Sequence, residues 1–148
     1  MHDRIKIPCS KNNLKDIRAF VTETLKGLCV PELDISMLVL AVDEICANRI
    51  IHSNHNDEKH YLELKINKED VNKISFVIMD EGAPFDHNSY TEPNIPQLVQ
   101  EKRKGGLGLM LVRKIMDSFE VQRENDMTVC TLSKKVNFCW AYFPEISS

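Results

Sequence analysis

The 148-residue sequence predicts an α+β fold, a two-layer α/β sandwich whose mixed, mostly antiparallel sheet carries its helices on one face. Three observations predict it. Two stretches near the N-terminus, "SKNNLKDIRAFVTETLKGL" and "LDISMLVLAVDEICANRIIHS", place apolar residues at helical spacing one after the other. Two pairs of strand-like runs, "YLELKIN" with "KISFVIMD" and "FEVQRE" with "TVCTLSKKV", are each joined by a short polar turn, the sign of antiparallel hairpins. A third helical stretch, "LGLMLVRKIMDSF", stands between the pairs, so the order is β-α-α-β-β-α-β-β.

The elements follow in turn. Residues 3 to 8 read as a short strand stopped by Pro8; Ser10 is a cap for the first helix, and Gly27 lies near its end. Pro31 separates this from a long second helix, about Leu33 to Ser53, which runs out in the polar "HSNHNDEKH". "EDVNK" fits the first hairpin turn, and Asn125 with Asp126 the second. From Asp80 to Gly106 the chain holds three prolines and three glycines with little periodicity, which reads as a mobile lid. The closing segment, residues 137–148, concentrates aromatic residues and reads as a tail packed on the domain, with a partner-binding or dimer segment as the alternative.

The length fits a single domain spanning residues 1–148. A formal net charge of -3 offers no general attraction to nucleic acid or to an anionic membrane. There is no apolar signal core and no run approaching the roughly 18 residues that span a bilayer, so a cytoplasmic location is expected. The five cysteines are odd in number, scattered and without CxxC spacing, which suggests neither disulfides nor zinc.

Three constellations carry chemistry. In "LAVDEICANRIIHS", Glu44, Asn48 and His52 are spaced by four and fall in the sector of Met37, Ala41 and Ile45, while Asp43 turns toward a more polar edge. A polar stripe on a core-facing helix implies an internal hydrogen-bond network or a polar ligand in a pocket. Glu44 and Asn48 stand about 6 Å apart along the axis, room for a hydrated cation and a hydroxyl. In "MDEGAPFD", Asp80 at a strand end can accept from an exocyclic amine, and Gly82 lets backbone approach a planar ring. In "KGGLGLMLVRKIMD", Gly105, Gly106 and Gly108 lie where a loop becomes a helix, a place suited to phosphate oxygens, although the spacing is that of neither a Walker loop nor GxGxxG. His52, His55 and Cys46 are expected to hydrogen-bond rather than to hold zinc.

In this order, "DEICANRIIH", "DEGAPFD" and "GGLGLMLVRKIMD" resemble the asparagine box and two glycine boxes of the GHKL superfamily of ATP-binding proteins, whose fold is known as Bergerat; the resemblance covers about residues 5–136. Within it the chain is most similar to the anti-sigma factor serine-protein kinases. The resemblance implies ATP and Mg2+ as cofactors, Glu44 as general base, Asn48 as magnesium ligand, Asp80 and Gly82 at the adenine, and Gly105, Gly106, Leu107 and Gly108 at the phosphates. Thr131 would support the adenine site from a late strand, and Lys104 would touch phosphate. Pro84 stands where many relatives have a glycine, and no clear glycine precedes Thr128. Arg49 replaces a usually small residue and reads as a surface or interface residue. The implied function is a kinase that binds a sigma factor, phosphorylates a STAS-domain anti-sigma-factor antagonist on serine and dimerises; the alternatives are a nucleotide-dependent binding module with little or no kinase activity, and an interaction domain without nucleotide.

Overall fold

In the computed structural model of the chain, the residues described are 2–83 and 106–138. Five strands, β1 (His2–Pro8), β2 (Tyr61–Asp70), β3 (Lys73–Asp80), β4 (Ser118–Glu124) and β5 (Met127–Lys135), form one sheet in the order β1-β2-β3-β5-β4. Every pairing in it is antiparallel. Three helices, α1 (Leu14–Gly27), α2 (Glu32–Ala47) and α3 (Gly106–Ile115), complete the second layer, with α2 packed between α1 and α3. The predicted lid lies outside the described residues apart from its two ends, and of the aromatic tail only Asn137 and Phe138 are described. Among the described residues no helix is long and apolar enough to cross a membrane.

Alternation places the core. In β2, β3 and β5 the residues Leu62, Leu64 and Ile66, Phe76 and Ile78, and Cys130 and Leu132 stand in register on one face and are buried. Ile17, Val21 and Leu25 of α1, Leu38, Val42 and Ile45 of α2, and Val112 of α3 close over them. The hairpin turns form where the polar runs place them, with Asn125 and Asp126 both at positive φ.

The most buried line of α2 is Leu38, Val42 and Ile45, whereas Met37 and Leu40 are 39% and 43% exposed. The expected centre of the apolar face is therefore rotated by about a fifth of a turn, and Glu44 and Asn48 lie at its border rather than in its middle. At Asn48 the helix widens into a π-helical turn, Asn48–Ser53, in which Asn54 N–H donates to Arg49 C=O across five residues. The wider winding leaves His52 in solvent, off the stripe that an uninterrupted α-helix predicts.

Helix α1 ends in a Schellman motif. Val30 N–H donates to Leu25 C=O and Cys29 N–H to Lys26 C=O, each at 3.0 Å. The left-handed position is held by Cys29, at φ 58°, and not by Gly27 two residues earlier. A side chain there costs about 1–2 kcal/mol, of which glycine's unfolded-state entropy would return about 0.5–1, so Cys29→Gly should raise the unfolding free energy by up to about 1 kcal/mol in urea denaturation. A loss of stability would contradict this account of the cap.

Candidate active site

Two clusters of polar groups interrupt the apolar interface. The first lies where α2 meets the start of α3. Gly108 is buried in the first turn of α3, and a Cβ added there would overlap Glu44 Oε2 and stand 2.9 Å from its Cδ. Only glycine lets the Glu44 carboxylate lie against the backbone at this helix entry, where the first N–H groups have no partner within the helix. One turn along α2, Asn48 is 8% exposed and its Nδ2 donates to Glu44 C=O at 3.2 Å, so Oδ1 is the atom with which it could meet a cation. Gly106 and Leu107 open α3, while Lys104 and Gly105 lie outside the described residues.

The second cluster is at the end of β3. Asp80 Oδ1 accepts from Gly82 N–H at 2.8 Å, Asn54 Nδ2 at 2.9 Å and Arg49 Nη2 at 2.7 Å; Oδ2 accepts from Arg49 Nε at 2.7 Å. Both members of this two-pronged ion pair are 0% exposed. Arg49 is therefore a core residue, not the surface or interface residue expected. It follows Ile45 by four and Val42 by seven and so continues the most buried stripe of α2. Gly82 is equally confined: a Cβ there would stand 2.8 Å from Ser53 C=O and 2.9 Å from Asn54 Nδ2. Its own carbonyl accepts from Thr128 Oγ1 and from Arg123 Nη1, both at 2.7 Å. Asn54 Nδ2 also donates to Arg49 C=O, and Asn54 Oδ1 meets His60 Nδ1 at 3.1 Å.

Thr131 is not brought to this site. It pairs with Val77 on the far face of the sheet, whereas Thr128 pairs with Asp80 and is buried beside it. Counting by twos from the inward Cys130 and Leu132 reaches Thr128 and excludes Thr131, so the alternation held the signal. Asn54 and Arg123 carried no motif.

Electrostatics separates the acids of α2. Burial raises the Glu44 carboxyl above its ordinary 4.5, and the neighbouring Asp43 adds to this. Burial also raises Asp43, which Arg18 Nη1 at 3.2 Å partly offsets. Burial drives the thiols up as well, Cys9 to about 11, Cys130 to about 12 and Cys46 well above its usual 9.0, so none is a thiolate at neutral pH. Cys46 is buried while His52 and His55 face solvent, so these three do not converge.

An acid whose folded-state pKa is raised contributes its stability fully below the unfolded value and loses it as pH rises through the folded value. Glu44→Gln should therefore have a higher Tm than the parent at pH 7, and that advantage should shrink toward pH 4. Equal Tm values at both pH values would show that Glu44 is not held against its ionisation.

Comparison with known proteins meets this geometry. The sequence profile of the histidine kinase-like ATPase domain matches residues 7–134. A protein named serine-protein kinase RsbW from Bacillus velezensis is 26% identical over 137 residues, covering 90% of this chain and 84% of that one. Its namesake from Bacillus licheniformis is 29% identical over 108 residues, 70% and 66% of the two chains. Among solved structures, the RsbU and RsbW domains of Rv1364c from Mycobacterium tuberculosis superpose with a TM-score of 0.61 at 14% identity, covering 92% of this chain and 32% of that one. The SiaB-SiaC complex from Pseudomonas aeruginosa gives 0.59 at 12% identity, over 90% and 89%. The two structures bear on the fold alone. With its α+β sandwich and a profile match that spans nearly all of the described elements, the chain belongs to the histidine kinase-like ATPase domain family.

Proposed function

We propose that this chain is an ATP-dependent serine-protein kinase that regulates transcription by partner switching. As one domain in the cytoplasm it binds a sigma factor, phosphorylates a STAS-domain antagonist on serine and pairs with a second copy of itself. The observation that carries the reading is the Glu44 carboxylate, desolvated and held against Gly108 at a glycine-rich helix entry. The relatives named serine-protein kinase support the acceptor class.

ATP is the co-substrate. The N–H groups of the first turn of α3 and the positive end of its dipole draw phosphate oxygens toward Glu44. Lys104 and Gly105, outside the described residues, would add to the phosphate contacts. Glu44 takes the proton of the acceptor serine as its Oγ bonds to the γ-phosphorus; the bond to the bridging oxygen breaks, and ADP keeps the electron pair. A raised pKa suits this task, because a desolvated carboxylate binds the proton better than an exposed glutamate. Asn48 Oδ1 is a hard oxygen donor of the kind magnesium takes beside phosphates, and the ion when bound would neutralise their charge. Asp80 and Gly82 mark the base end, with Thr128 supporting the Gly82 carbonyl.

A second reading, a nucleotide-dependent binding module with little or no kinase activity, is favoured by one observation: Arg49 is already on Asp80. Transfer of labelled γ-phosphate to a panel of STAS-domain proteins separates the two. Serine labelling should fall by about 10²–10⁴-fold in Glu44→Ala with nucleotide binding retained, and Asn48→Ala should lose magnesium-dependent binding. Nucleotide binding without labelling of any acceptor would select the binding module.

A further inference from the structure

The base end of the site is filled by the chain itself. Asp80 ends β3 with both carboxylate oxygens engaged and none of its side chain exposed; Arg49 in the π-helical turn, Asn54 just after it and Gly82 N–H are the groups that bond to it. Gly82, where a ring was expected to approach, instead admits the Ser53 carbonyl and the Asn54 amide. Packing alone does not call for an arginine there: the position continues the stripe of Val42 and Ile45, where an apolar side chain would fill the space, and it is the Asp80 carboxylate that engages the guanidinium.

We propose that Arg49 is an internal gate on the nucleotide site: its guanidinium holds the base-reading carboxylate of Asp80, and a purine with an exocyclic amine gains that carboxylate only by displacing it. This rests on the reading of the chain as a nucleotide-binding protein. The exchange is uphill by itself, since two charge-assisted hydrogen bonds give way to one from a neutral amine. Binding energy from the triphosphate end, 'spent' on moving Arg49, makes the occupied and resting states two discrete arrangements of the π-turn, and leaves the unaided affinity for ATP low.

The test is calorimetric titration of magnesium and ATP into the full chain and into Arg49→Ala and Arg49→Lys. The gate predicts at least tenfold tighter binding in Arg49→Ala and a smaller gain in Arg49→Lys, which keeps the charge but loses the fork. In the parent chain, the Arg49 Nε–H resonance, assigned by its loss in Arg49→Lys, should shift on saturation with ATP as the carboxylate changes partner. That readout needs no stable alanine variant. Equal affinities, or an Arg49 Nε–H resonance unmoved at saturation, would overturn the gate and leave the nucleotide reading standing. Folded parent and variants that all fail to bind ATP would overturn both.

Discussion

The ion pair of Arg49 and Asp80 is the constraint around which the site end of the molecule is arranged. It joins the C-terminal extension of α2 to the last residue of β3, and through Gly82 and Thr128 to the start of β5. Removing one partner of such a buried pair leaves an uncompensated charge, at a cost of about 3–5 kcal/mol, so each member makes the other obligatory. The π-helical turn fits this arrangement: it includes Arg49, in the core stripe, and brings Asn54 back onto both Arg49 C=O and Asp80.

The two polar clusters differ in kind. At the Asp80 end every strong acceptor is met by a donor, and the arrangement is closed. At the Glu44 end a carboxylate is desolvated with its pKa raised, against a glycine that could not be anything larger. A closed cluster favours stability and specificity, and a desolvated carboxylate with a raised pKa favours chemistry. Both clusters lie on neighbouring turns of the same helix and its π-helical extension.

Much of the fold was legible because it rests on period. The alternation of Leu62, Leu64 and Ile66 and the turn residues Asn125 and Asp126 were read correctly, since local chemistry and tertiary structure agree there. The order of the three motifs led to the histidine kinase-like ATPase family, which the profile over residues 7–134 supports. The rest failed for identifiable reasons. Arg49 reads as facing the helix surface, although its helical phase with Val42 and Ile45 is that of a core position; the partner that lets its charge be buried, Asp80, is thirty-one residues away in sequence and invisible to local patterns. Thr131 rests on motif likeness alone, while the two-residue period of its strand turns it away from Asp80. The π-turn has no signature in the spacing, so His52 was carried onto a stripe that the helix abandons at Asn48.

The most direct measurement is a crystal structure of the chain grown with magnesium and a non-hydrolysable ATP analogue. The account predicts the adenine amine on Asp80, the Arg49 guanidinium withdrawn from that carboxylate, and the triphosphate at the entry of α3 beside Glu44 and Asn48. An analogue bound elsewhere, or bound there with Arg49 still clasping Asp80, would contradict it.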